Sequence, residues 1–197
     1  MGACLAVSAG LVLADGSYLI TAQMPDASSV KFTASNVINK GLNPSDWSDV
    51  TGTELTFAGM HFDDVKDPVT GVAPNIWRAT NFFAIDVANV GPGSPNVTSV
   101  TYTEGPKPQT KGLGYKANLV IVKGVYQSAD VVLAGHTKRP LRSVIGESVS
   151  SADTAGGWAR IYIGLADGKV ASEGEPFTNA DLPGKYSGTL TISASVK

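Results

Sequence analysis

The chain ends in Tyr186-Ser187-Gly188-Thr189-Leu190-Thr191-Ile192-Ser193-Ala194-Ser195-Val196-Lys197. Tyr186, Gly188, Leu190, Ile192, Ala194 and Val196 alternate with Ser187, Thr189, Thr191, Ser193, Ser195 and Lys197. Successive side chains of a strand point to opposite faces, so this alternation predicts a half-buried β-strand with one dry face. It is longer than the usual five or six residues. A long edge strand exposes unpaired main-chain groups, and proteins normally blunt or cover it. The sequence therefore places an apolar-faced edge at the last strand and asks what pairs with it.

The first residues supply a candidate. Ala3 to Ala14 is uncharged and apolar, and Val12-Leu13-Ala14 resembles the small-residue end of a cleaved leader. Residues 1–14 are thus expected to be a secretory signal peptide, although no Lys or Arg precedes the run. It is too short to span a bilayer, which takes about 20 apolar residues. The competing reading is a buried first strand or helix. After Asp15-Gly16-Ser17, the residues Tyr18, Ile20, Ala22 and Met24 alternate with mostly polar neighbours, and Leu19 breaks the pattern. Pro25 then ends the strand, because it has no N–H to give to a ladder. Residues 15–26 are expected to be an extension that one subunit lends to the next, and residues 27–197 the folded domain. In such β-augmentation the main chain supplies affinity and alternate side chains fill pockets.

Between these ends, strands are predicted at Val30–Ile38, Leu55–Met60, Asn81–Val90, Val97–Thr103, Ala117–Val125, Ala129–Ala134 and Ala159–Leu165. In the last of these, Ala159, Ile161, Ile163 and Leu165 alternate with Arg160, Tyr162 and Gly164, which marks a strand with one buried face. Asp167-Gly168 reads as a hairpin-type turn, and Gly91-Pro92-Gly93-Ser94-Pro95 as loop punctuation. No window sustains a helical period, and neither an internal repeat nor a domain linker stands out. The fold class is therefore all-β, and a β-sandwich rather than a βαβ fold. A chain of 197 residues is one ordinary domain with room for a sizeable core.

Composition excludes several function classes. Only 16% of residues are charged, the net charge is −2 and the basic residues are scattered, so there is no nucleic-acid footprint. The sole cysteine, Cys4, falls in the expected leader, which leaves the mature chain without a thiol. His61 and His136 lack zinc-ligand spacing. His61 to Asp67, next to Pro68, reads as a polar loop, and its acidic run Asp63, Asp64, Asp67 lacks the glycine and closing glutamate of an EF-hand loop. Gly112-Leu113-Gly114 lacks the remaining glycine of a dinucleotide loop and the Lys-Ser/Thr of a phosphate loop, and there is no Gly-x-Ser-x-Gly elbow. No catalytic residues, cofactor or metal are assigned, and the chain is not read as an enzyme. Trp47, Trp77 and Trp158 read as packing residues, with a carbohydrate platform as the rival role.

The Ile20-Thr21-Ala22 strand, Thr53-Glu54-Leu55-Thr56-Phe57, Phe83-Ala84-Ile85-Asp86-Val87 and Leu182-Pro183-Gly184-Lys185-Tyr186-Ser187-Gly188 together resemble bacterial chaperone–usher pilins. The likeness is nearest to the alpha-type and common-pilus major fimbrillins. The chain departs from type 1 and P-pilus subunits in lacking a disulfide and in carrying Val196, not tyrosine, at the penultimate position. The resemblance implies an incomplete immunoglobulin-like β-sandwich, completed by a donor strand from a neighbouring subunit. Tyr18, Ile20, Ala22 and Met24 would be the donor residues. Tyr186, Gly188, Leu190, Ile192, Ala194, Val196 and Lys197 would line the acceptor groove and the chaperone-binding strand. Implied partners are identical pilin subunits, a periplasmic chaperone that grips the Lys197 carboxylate, an outer-membrane usher and a host-surface receptor. The chain would be exported through the periplasm to the cell surface, as a fimbrial shaft subunit serving adhesion or biofilm formation. Two other classes stay open: a self-complete secreted β-sandwich binding module, and a virion or phage-tail structural protein.

Overall fold

The computed structural model describes residues 3–12, 18–23, 30–38, 48–50, 54–89, 95–125, 137–144 and 157–196. Its strands are β1 (Ala3–Val12), β2 (Tyr18–Gln23), β3 (Val30–Ile38), β4 (Ser48–Asp49), β5 (His61–Asp63), β6 (Ile76–Arg78), β7 (Asn81–Asn89), β8 (Pro95–Glu104), β9 (Ala117–Val125), β10 (Arg139–Pro140), β11 (Gly157–Leu165) and β12 (Lys185–Val196). A single helical turn, α1 (Leu113–Lys116), precedes β9. The smaller sheet runs β2-β1-β12-β8, the larger β10-β9-β11-β7-β3-β4, and β5 pairs with β6. Every pairing among the described residues is antiparallel, which makes the fold all-β.

Both sheets feed one core. Tyr186, Leu190 and Ile192 of β12 and Val100 of β8 join Phe83 and Ile85 of β7 and Ile161 and Ile163 of β11. Complete burial of a side chain such as Leu190 or Ile192 contributes roughly 1.5–3 kcal/mol. The alternation of β11 points Ala159, Ile161 and Ile163 into this core, as expected. Its other face is not solvent-facing, however. Arg160 and Tyr162 are also buried, beside Ala84, Val120 and Val122. Arg160 can lie there because Asp86, opposite it on β7, accepts hydrogen bonds from its Nε and Nη2. A buried charge is tolerable when paired in this way.

Three predicted elements differ. Leu55–Met60 is not a strand, although Leu55 and Phe57 are wholly buried. The buried Asn81 side chain accepts from the Ala58 N–H (2.7 Å) and donates to the Thr56 carbonyl (3.0 Å). That amide takes up backbone groups a neighbouring strand would otherwise pair. His61–Asp63, read as polar loop, is a short strand held to Ile76–Arg78, with Arg78 ion-paired to Asp63. Asp167-Gly168 is a turn, with Gly168 at φ +73°, but it joins no hairpin: β11 and the next strand, β12, lie in different sheets. Ala129–Ala134, His136 and Trp47 lie outside the described residues.

Candidate functional site: the two flanks of the last strand

β12 alternates as the sequence predicts. Tyr186, Gly188, Leu190 and Ile192 are buried, whereas Ser187, Thr189 and Thr191 are half-buried. Its position differs from the expectation. The sequence sets it at an uncovered edge, but the structure sets it inside the smaller sheet, with β1 on one flank and β8 on the other. The physical reason is that Ala3–Val12 is itself an uncharged segment long enough to pair along ten residues.

The β1 flank is a continuous ladder. Leu11 lies opposite Tyr186, Ala9 opposite Gly188, Val7 opposite Leu190, Leu5 opposite Ile192 and Ala3 opposite Ala194. The expected donor residues stand one strand further out. Tyr18, Ile20 and Ala22 lie opposite Leu11, Ala9 and Val7 of β1, not opposite β12. Met24 and Lys197 lie outside the described residues. Because β1 is antiparallel to both neighbours, β2 and β12 run in the same direction.

The β8 flank is held by more than a ladder. Tyr102 lies opposite Leu190, and its ring covers Gly188 so closely that a Cβ there would come within 2.0 Å of the hydroxyl oxygen. That hydroxyl donates to Glu104 Oε1 (2.9 Å), and Glu104 Oε2 accepts from the Gly114 N–H (3.1 Å). Burial, with the Glu104 charge added, pushes the Tyr102 hydroxyl well above the usual phenol range. The Gly112-Leu113-Gly114 stretch thus makes room for Glu104: a Cβ on Gly112 would lie 2.4 Å from its Oε1. Beyond the ladder, the Gly105 N–H donates to the Ser187 carbonyl (2.7 Å) and the Ser187 N–H to the Pro106 carbonyl (2.9 Å). The pairing with β8 also shifts register between Ser193 and Ala194, where Thr98 is the extra residue.

The turn into β12 is pinned by a polar cluster that sequence reasoning missed. The Tyr186 hydroxyl donates to the Leu182 carbonyl (2.7 Å), and its ring meets Phe177 edge-on at 5.0 Å. Burial, with the Asp181 charge added, pushes the Tyr186 hydroxyl up to about 12. The carboxylate of Asp181 receives Lys116 Nζ (2.8 Å to Oδ1), Gln109 Nε2 (2.6 Å) and the Thr178 N–H (2.8 Å). Burial alone would raise the Asp181 pKa, but Lys116, Thr178 and Gln109 together hold it below the usual carboxylate range. Nothing in the spacing of Gln109, Lys116 and Asp181 signals that they meet.

The other candidates have local roles. Oδ1 of Asp67 accepts from the Val69 and Thr70 N–H groups (both 2.8 Å), which closes a turn. His61 is exposed, with Nδ1 3.2 Å from the Gly59 carbonyl. Among the described residues, no three His, Cys, Asp or Glu side chains cluster to hold a metal. Trp77 is half-buried, with its Nε1 donating to Asn179 (3.0 Å) and its ring 5.4 Å from Phe62. Trp158 lies on β11 opposite Ala88 and Gly124. Comparison with protein families, with curated proteins and with solved structures finds no match to this chain.

Proposed function

We propose that this chain is a structural subunit of a bacterial surface fimbria, polymerising by exchange of β-strands between copies. The observation that carries this reading is the flank of β12 that faces β1. There, among the described residues, a twelve-residue strand with Leu190 and Ile192 buried is paired by Ala3–Val12. In the assembled form, residues 15–26 of one subunit would complete the sandwich of the next, with Tyr18, Ile20, Ala22 and Met24 inserted. The fold would be an immunoglobulin-like sandwich. Two antiparallel sheets around a shared core support this, as does the back-bonded Tyr186 at the start of the last strand, which resembles a tyrosine corner. A periplasmic chaperone and an outer-membrane usher would deliver the subunit to the cell surface, where the fibre would serve adhesion or biofilm formation.

Ile20→Asp tests the reading by placing an unpaired carboxylate in an apolar groove, where it costs several kcal/mol in practice. Fibres visible by electron microscopy should disappear, while the exported amount of the subunit stays the same. Undiminished fibres would remove residues 18–24 from the donor role.

One observation favours a second reading. β12 is paired on both flanks by strands of its own chain, as in a self-complete binding module. A chain freed of residues 1–14 that stays a cooperative monomer and forms no fibres at any concentration would support that module.

A further inference from the structure

The structure shows which strand occupies the β1 flank of β12, and the chain holds a second copy of that strand's pattern. Residues 5–11 read Leu-Ala-Val-Ser-Ala-Gly-Leu, and residues 18–24 read Tyr-Leu-Ile-Thr-Ala-Gln-Met. Aligned thirteen positions apart, Val7 matches Ile20, Ser8 matches Thr21, Ala9 matches Ala22 and Leu11 matches Met24. Read along the chain, this short likeness does not stand out as a repeat. It gains meaning from the register, because these are the residues of β1 opposite Leu190, Thr189, Gly188 and Tyr186. Alanine recurs at the position opposite Gly188, the residue whose space the Tyr102 ring fills.

We infer that Ala3–Val12 is a cap in cis, and that Tyr18–Met24 of a second copy takes its place once the cap is removed. This rests on the strand-exchange reading above and assigns its register: Tyr18 opposite Ile192, Ile20 opposite Leu190, Ala22 opposite Gly188 and Met24 opposite Tyr186. The occupant must come from another molecule. Within one chain, β2 runs parallel to β12, so it cannot take over the antiparallel ladder of β1 without turning end for end. Removal of the cap is hydrolysis by a peptidase after Ala14. Water adds across the Ala14–Asp15 bond, leaving a carboxylate on Ala14 and an amine on Asp15. The monomer is thereby kept from polymerising until it is cut.

Engineered disulfides in the full-length chain read this directly, with Cys4→Ser removing the native thiol and a protease-cleavable site placed between Val12 and Tyr18. Directly opposed strand residues lie about 4.5–5.5 Å apart at Cα, within disulfide reach. Before cutting, Ser8→Cys with Thr189→Cys should cross-link within one molecule. After cutting, Thr21→Cys with Thr189→Cys should cross-link between molecules, while Thr21→Cys with Thr191→Cys, two residues out of register, should not. If the uncut chain gives the 21–189 intermolecular link as readily as the cut chain, the cap is overturned. If cut chains form fibres without that link, the register falls while strand exchange stands. If cut chains stay monomeric, the strand-exchange reading falls too. Should the cut chain retain fragment 3–12, an excess of synthetic peptide 17–25 should displace it, as read by mass spectrometry of the released fragment. Failure to displace it overturns the inference.

Discussion

The two flanks of β12 are built differently. Toward β8, the strand is tied by side chains: the Tyr102 ring on Gly188, the Tyr102–Glu104–Gly114 chain of hydrogen bonds, and the Ser187–Pro106 bond beyond the ladder. Toward β1, it is joined by an unbroken ladder of ten residue pairs, in which small residues meet at Ala9 and Gly188. Those side-chain ties fit the β8 flank to one neighbour. The β1 ladder offers its main-chain hydrogen bonds to any strand that repeats the alternating pattern. On that ground the β1 side is proposed as the assembly surface.

The comparison can be broken most severely at the turn that aims β12. Asp181→Ala leaves Lys116 buried, with 4% exposure, and without its counter-charge. Removing one partner of a buried pair costs about 3–5 kcal/mol, which should appear as a lowered urea midpoint for the whole domain. The pH dependence follows from the depressed Asp181 pKa. Its contribution is fully present above the ordinary carboxylate value of 3.8 and fades as pH falls through the lower folded-state value. The gap between wild type and Asp181→Asn should therefore be wide at neutral pH and should close in acid. An unchanged gap at low pH would show that the carboxylate's charge is not what matters.

A smaller effect is expected from Gly188→Ala. The added methyl collides with the Tyr102 hydroxyl, and overpacking of this kind costs about 1–3 kcal/mol. It should loosen the β8 flank first, seen as faster amide exchange in β8 than in β1; the reverse order would invert the comparison. Tyr186→Phe removes only the hydroxyl that donates to Leu182 and should cost about 1 kcal/mol in thermal or denaturant unfolding. The smallest change in core unfolding is expected from Ser8→Pro, which deletes one N–H from β1. The side-chain ties described for β12 lie on its β8 flank, so opening of β1 is expected to be local rather than global. The same variant should nevertheless expose β1 to proteolysis. If Ser8→Pro unfolds the domain as badly as Asp181→Ala, the two flanks are not different in kind.

Much of this was legible in advance where a pattern is local. The strands at Val30–Ile38 and Ala117–Val125 stand as predicted. Leu55–Met60 misled because burial without partner strands looks the same in sequence as burial within a sheet, and the amide of Asn81 decides the matter from 25 residues beyond Thr56. The outer face of β11 misled for a related reason. Arg160 reads as a solvent residue, and only Asp86, across the sheet, makes its burial tolerable.

The sequence by itself determined the faces of β12, because side-chain alternation is a property of the strand and needs no neighbour to exist. It also determined the all-β class and the absence of familiar catalytic motifs. Only the tertiary structure decided which strand lies beside which. An alternating strand offers the same hydrogen-bonding edge to any partner, so the placing of β1 between β2 and β12, and the meeting of Gln109, Lys116 and Asp181, depended on long-range packing that no short stretch of sequence encodes.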